Sequence, residues 1–242
     1  MAVQELETEH VVDFVTAIQS LEQRYVAQWF YRGHSNTEYK LLPSMYRLDT
    51  REAFASWKQV EQYMVSIFKR EAMPHLTHTP SDDKEWLALA QHHGLPTRLL
   101  DWSRNPLVAL YFAVEHNHDT VGDVWCLGFP STNNCLPEST YFARRKGLPD
   151  EIYFPKHVSP RITNQSGCFT VHDSETPLEE QTNSFWEMVR IHIPAARKAQ
   201  IINELYELGI HCGFIYPDLD GLTQRIKYEV TAKHVRHTTY ND

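Results

Sequence analysis

QHHGLPTRLLDWSRNPLVALYFAVE, residues 91–115, is the stretch on which the reading of the fold turns. Its polar groups, His92, His93, Thr97, Arg98, Asp101, Ser103, Arg104 and Asn105, stand between the end of one helix and the start of the next. Gly94 is suited to the left-handed conformation that follows a helix. Pro96 keeps the chain extended, and Arg98-Leu99-Leu100 can continue as a short strand. Asn105-Pro106 then reads as an N-cap followed by the first helical position, opening the apolar helix LVALYFAV. The polar groups thus fall at a strand-to-helix junction, a common location for binding and catalytic residues.

Working outward, EWLALAQHH is a helix capped by Ser81 or Asp82 and stopped at Gly94. Pro74 to Pro80 separates it from a long helix predicted over Glu52–Met73. WFYRG, residues 29–33, is a short aromatic strand, and residues 10–28 carry the apolar period of an amphipathic helix. Downstream, DVWCLGF (residues 123–129) and SFWEMVRIHIP (184–194) read as strands. Ala195–Leu208 reads as a helix that ends at Gly209, CGFIYP as a final apolar strand, and Leu219–Lys227 as a last helix. Residues 131–160, with four prolines, are expected to be an irregular insertion, a flexible or partner-facing lobe. No internal repeat or interdomain linker is visible, which predicts one α+β domain with a helical N-terminal part.

Composition narrows the class. The 242 residues are 42% hydrophobic, enough for a sizeable core. No apolar run approaches the ~18 residues of a transmembrane helix. The opening MAVQELETEH is polar and acidic, without the apolar centre of a signal peptide. The four cysteines are widely spaced and lack a CxxC pair, so reduced thiols and a cytoplasmic location are expected. A net charge of −8 argues against binding nucleic acid over a broad surface, though not against one local basic groove. The fourteen histidines are scattered without HExxH spacing, so no metal is expected.

Four ordered segments carry a family resemblance: Tyr31-Arg32-Gly33 followed by LLPSMYR, QHHGLPTRLLDWSRNPLVALYFA, PRITNQSGCFTVH (residues 160–172) and IYPDLDGL (215–222). The chain resembles the FRG domain family over about residues 10–225, a single domain spanning 1–242. A more distant resemblance, of layout and a few residues, is to ADP-ribosyltransferases. These carry Arg or His on an early strand, and Ser or Thr on a second strand that runs into an N-P-x-x-A-x-x-F/Y-A helix. A late strand carries an acid. WFYRG, LLDWSRNPLVALYFA and an acidic region near the end correspond, although the transferase Q-x-E or E-x-E spacing is not evident there. The resemblance implies an α+β fold with a split, mostly antiparallel sheet, plus N-terminal helices, and NAD as substrate.

Binding NAD and breaking its glycosidic bond requires a grip on the diphosphate, a pin for the nicotinamide and an acid near the ribose. Arg32 suits phosphate or ribose through its planar fork. Its alternative role is an ion pair to a later acid such as Asp101. Gly33 would let a ligand approach the backbone, and His34 could donate to a phosphate or ribose oxygen. Trp102 could stack on a base or serve as core, and Ser103 could position Arg32 or the nicotinamide ribose or belong to a cap. Asp101 could hold Arg32 or Arg98 in place. Of His92 and His93 at most one should face a cleft, with His93 the candidate base. Thr97 and Arg98 could line the same cleft, Arg98 on phosphate. Gln165 could read an amide or stabilise a turn. The candidate acids are Asp218 and Asp220, with Asp218 equally placed as an N-cap.

The expected function is an ADP-ribosyltransferase-like enzyme that uses NAD on a macromolecular acceptor, by analogy a bacterial or phage toxin or defence effector, with a possible neutralising protein partner and no membrane. The rivals are a non-catalytic nucleotide or nucleic-acid binding module using Arg32, Arg98 and Arg104, a metal-dependent phosphoester hydrolase using Asp101 and His93, and a partner-docking protein.

Overall fold

The computed structural model describes residues 3–24, 28–49, 54–76, 78–129, 151–155, 160–181 and 187–231. Among them, in chain order, the strands are β1 (Gln4–Glu7), β2 (Gln28–His34), β3 (Leu99–Ser103), β4 (Gly122–Phe129), β5 (Glu151–Tyr153), β6 (Gly167–Val171) and β7 (Glu187–Ile193). The α-helices are α1 (Val11–Glu22), α2 (Trp57–Ala72), α3 (Asp83–His92), α4 (Pro106–Val114), α5 (Pro160–Asn164), α6 (Lys198–Glu207), α7 (Cys212–Ile215) and α8 (Leu219–Thr231). The strands form one sheet in the order β1-β7-β4-β2-β3-β6-β5. All pairings are antiparallel except that of β1 with β7. The α+β class and the mostly antiparallel sheet are as the sequence predicts.

The sheet is split where the site lies. Strand β2 pairs with β4 along its whole length, from Gln28↔Phe129 to His34↔Asp123. With β3 it makes a single pairing, Tyr31↔Ser103. Beyond that point the two strands lack a ladder, and their backbone polar groups need other partners.

Alternation sorts the side chains into two faces. Tyr31, Val124, Cys126, Val189 and Ile191 face α1, α4 and α6 and form the larger core with Phe14, Leu110, Ile201 and Leu205. On the opposite face Phe30, Trp102, Trp125 and Leu127 pack under Leu41 and Leu178. Val65 of α2 and Leu87 of α3 cover the far end, over Leu99 and Phe169.

Helix α4 explains why two strands carry glycine. Asn105 caps it by accepting the Leu107 N–H at 3.0 Å, with Pro106 at the first helical position. The helix is apolar around its circumference, as a largely buried helix should be. It lies so close to the sheet that a Cβ on Gly33 would stand 1.9 Å from the Ala109 carbonyl oxygen, and one on Gly122 would stand 2.3 Å from that of Ala113. Ala109 and Ala113 are one helical turn apart, so the small face of α4 seats on both glycines. Gly33 therefore serves helix packing, and it also borders the cavity described below.

Lys198 at the start of α6 fastens the loops that leave β2 and α4. It is fully buried and donates to the carbonyls of Ser35 (2.6 Å), Asn117 (2.9 Å) and His116 (3.2 Å).

Several local expectations change. CGFIYP is not a strand: Cys212–Ile215 form α7, with the His211 side chain accepting the Phe214 N–H at 3.1 Å as its cap. The long helix begins at Trp57, capped by Ser56, rather than at Glu52. QELE is an edge strand held by backbone pairing to β7. Of the insertion predicted over 131–160, residues 131–150 and 156–159 lie outside the described residues, while Glu151–Tyr153 form a strand.

Candidate active site at the split of the sheet

Where β2 and β3 part, a cavity of about 520 Å³ opens. Its walls come from Tyr31–His34 of β2, Asp101–Ser103 of β3, the Val108–Phe112 side of α4, the turn between α5 and β6, and Tyr216. Distant parts of the chain thus converge on one cavity.

Arg32 occupies the split. Its Nη1 donates to the Asp101 carbonyl at 2.7 Å, replacing a ladder bond the parted strands cannot make. The Asp101 carboxylate is farther, at 3.5 Å, and more than half exposed. Arg32 Nε donates to His34 Nε2 at 3.0 Å. Burial lowers the guanidinium's pKa, and Asp101 partly offsets that. Its side chain stays 23% exposed and borders the cavity, so the group is accessible to a ligand.

Two further guanidiniums border the same space. Arg47 follows from a 3-10 turn over Ser44–Arg47 and is exposed. Arg161 lies over the Tyr216 ring, 4.8 Å from its centroid. Facing them is Glu115, just beyond the end of α4, with 14% of its side chain exposed. It accepts the hydroxyls of Tyr216 at 2.9 Å and Tyr111 at 3.2 Å. Neutral donors of this kind stabilise a carboxylate while leaving it lone pairs to offer.

The other predicted residues separate clearly. His34 accepts from Arg32 at Nε2, so that nitrogen has no proton to donate to a ligand. The Ser103 hydroxyl is spent on the backbone: it lies 2.7 Å from the Gln165 carbonyl and 3.0 Å from that of Asn105, and accepts the Asn105 N–H at 2.9 Å. It knits β3 to the α5–β6 turn and does not position Arg32. Gln165 borders the cavity, but its amide nitrogen donates to the Ile215 carbonyl at 3.1 Å. Trp102 is core: its ring is 3% exposed and its Nε1 donates to Thr170 at 2.8 Å.

Thr97 is fully buried, bonded to Gln91 and accepting the Leu99 N–H at 3.1 Å. Arg98 lies in a separate crevice, paired with Glu61 at 3.1 Å and Asp173 at 2.5 Å, and is not a phosphate ligand of this cavity. His93 is exposed at the end of α3, while His92 borders the cavity, its pKa lowered by burial and by the charges of His93 and Arg161. The acids are the main correction. Asp218 accepts the Gly221 N–H at 2.8 Å as a helix cap, Asp220 is exposed in the first turn of α8, and neither borders the cavity.

The residues that sequence reasoning missed are Glu115, Arg47 and Tyr216. Glu115 had a visible signal, as the single charge closing an apolar helix, four residues after Tyr111. Among the described residues no three His, Cys, Asp or Glu side chains converge as a metal site, and no helix is long and apolar enough to cross a membrane.

A model of the FRG domain matches residues 27–121, from the approach to β2 through α4. The match includes Arg32 and Glu115 but not the later wall with Arg161 and Tyr216. Comparison with curated proteins and with solved structures gave no match.

Two buried histidines make stability depend on acid. Burial first, and then the Arg32 charge, holds His34 down at about 2 and His172 at about 4. Both have lowered pKa values, so the unfolded chain takes up their protons near pH ~6.5 while the folded chain resists. Their contribution is present above that pH and is lost as the pH falls toward the folded values. Burial raises Asp123 to about 6 despite Arg190, so its protonation returns part of the loss. The expected net loss is about 2 kcal/mol between pH ~7 and ~5. Urea unfolding at the two pH values measures it, and equal stability would contradict the neutral assignment.

Proposed function

We propose that the cavity at the sheet split takes NAD and that the protein is an ADP-ribosyltransferase-like enzyme, moving ADP-ribose to a macromolecular acceptor or to water. The observation that carries this reading is one cavity with guanidiniums on its walls, Arg32 anchored among them, and a partly exposed carboxylate, Glu115. A dinucleotide needs both kinds of group. Its phosphates require bidentate cations. The positive charge that develops on the ribose as nicotinamide leaves requires a carboxylate in a water-poor place. The cavity volume suits a ligand of this class.

In this mechanism Arg32, with Arg47 or Arg161, holds the diphosphate, and Phe112 and Tyr216 offer ring surface. Glu115 polarises a ribose hydroxyl. The glycosidic bond breaks with its electron pair going to the nicotinamide nitrogen. The acceptor oxygen or nitrogen then bonds to the anomeric carbon and loses its proton to a base; His92 borders the cavity in the neutral form such a base requires.

Free nicotinamide released from NAD tests the reading. Release by the native protein is expected, with a drop of about a hundredfold in Glu115→Gln while NAD affinity is kept. One observation favours a second reading, a non-catalytic nucleotide-binding module: Glu115 is already held by two tyrosine hydroxyls. NAD binding without nicotinamide release, tried with protein and nucleic-acid acceptors, would decide for that module.

A further inference from the structure

We propose that His34 and Asp123 are positioning residues, a buried imidazole and carboxylate that fix the direction of the Arg32 guanidinium beside the cavity. The proposal deepens the nucleotide reading, because an aimed guanidinium matters only if an anion meets it.

A guanidinium has no acceptor. Arg32 Nε, 3.0 Å from His34 Nε2, must therefore be the donor, and Nε2 must carry no proton. The proton of the neutral imidazole is then on Nδ1. That nitrogen is buried and has no hydrogen-bond partner at normal distance; the groups that can accept its proton are Asp123 Oδ1, 3.6 Å away, and the Tyr39 backbone. Asp123 Oδ1 is likewise buried and unpartnered. A donor and an acceptor, neither making a hydrogen bond of normal geometry elsewhere, thus face each other across directly paired residues of β2 and β4. A shift of a few tenths of an ångström closes the bond.

The carboxylate is itself held from one side. Both Arg190 Nε (2.7 Å) and Nη2 (2.5 Å) reach Asp123 Oδ2, leaving Oδ1 for the imidazole. Arg190 is fixed in turn by the Thr37 carbonyl at 2.6 Å and by the Trp125 ring, 4.9 Å from its centroid. The relay runs from β7 through β4 and β2 to the Asp101 carbonyl on β3, crossing the place where the sheet opens.

A simple ion pair would tie the strands more cheaply than this relay. An acid beside Arg32 Nε would also neutralise the charge that an incoming phosphate needs. A neutral imidazole accepts the hydrogen bond and sets the plane of the guanidinium without adding a second negative charge to that of the exposed Asp101 carboxylate at 3.5 Å. It occupies Nε while Asp101 occupies Nη1, and Nη2 is left without a partner among the described residues. Burial favours the neutral form first, and Arg32, Arg190 and Arg47 add to it by opposing a second positive charge there.

Two measurements test the relay. The first is nitrogen-15 NMR of the His34 ring in the native protein, which needs no ligand. The expected result is the neutral tautomer with the proton on Nδ1 at pH ~8, where Asp123 is ionised, and no protonation of the ring down to pH ~5; a proton on Nε2 at pH ~8, or protonation of the ring within that range, would overturn the relay. The second is titration calorimetry with ADP-ribose on the native protein, His34→Ala and His34→Gln, each shown to be folded by circular dichroism. His34→Ala should weaken binding by about tenfold or more, and His34→Gln, whose amide oxygen can accept from Arg32, should restore most of it. Equal affinity in all three would overturn the positioning role. If the native protein does not bind ADP-ribose, the nucleotide reading fails, and the ring tautomer alone decides the relay. If His34→Ala does not fold, the tautomer and the glutamine variant decide it.

Discussion

Gly33→Ala is expected to cost about 3 kcal/mol or more, a large share of the ~5–15 kcal/mol of a typical domain. The added Cβ would sit 1.9 Å from the Ala109 carbonyl oxygen and 2.7 Å from the Ala113 nitrogen. Both are backbone atoms of α4, so no rotamer change relieves the clash. The helix must back away, and it shares its core with β2, β4, α1 and α6. The control is Gly94→Ala, where φ is +84° and nothing lies within 4 Å of the added Cβ. That change carries only the cost of a left-handed alanine, about 1 kcal/mol. The two denaturant midpoints should differ clearly. Equal midpoints would mean that α4 does not seat on β2 as described.

The second large effect concerns chemistry. Arg32→Ala should reduce nicotinamide release from NAD by at least about a hundredfold, since a charge-assisted grip on phosphate is worth roughly 1.5–3 kcal/mol and its alignment adds to that. Arg32→Lys should recover little, because an ammonium cannot reach both His34 and the Asp101 carbonyl in the fork geometry seen here. Arg47→Ala should lose less, about tenfold, and leave stability unchanged, because that side chain is exposed. Full activity in Arg32→Ala would remove the guanidinium from the mechanism.

The sequence revealed more of the fold than of the site, for reasons particular residues make plain. Asn105-Pro106 followed by eight apolar residues has one economical reading, a capped and largely buried helix, and α4 is that helix. WFYRG and DVWCLGF carry strand composition between turn residues, and they pair in the centre of the sheet. CGFIYP misled because four apolar residues are too few for periodicity to separate a helical turn from a strand; its signal was the capping side chain of His211. QELE gave no warning because its pairing to β7 is a backbone ladder and its side chains carry no strand pattern.

At the site, residue type was a better guide than residue duty. Arg32 could be recognised as a group that needs partners, Asp101 among them, but not that this residue's carbonyl and an imidazole would bind it more closely than the carboxylate does. A glycine beside it reads equally as room for a ligand or room for a helix, and the helix fills the space. Asp218 and Asp220 stand out only by their place late in the chain, whereas the carboxylates that border the cavity are Asp101 and Glu115, the latter brought there by the length of α4. Asp123, fully buried in a strand, could not be matched to Arg190 before the register of β4 on β7 was known.

The central claim is that the gap between β2 and β3 receives a dinucleotide against Arg32. The most direct measurement is a backbone amide NMR titration of the protein with NAD. The account predicts shift changes concentrated at Tyr31–His34, Asp101–Ser103 and Phe112–His116, and their loss in Arg32→Ala. Changes confined to the Arg98–Asp173 crevice, or none at saturating NAD, would contradict it.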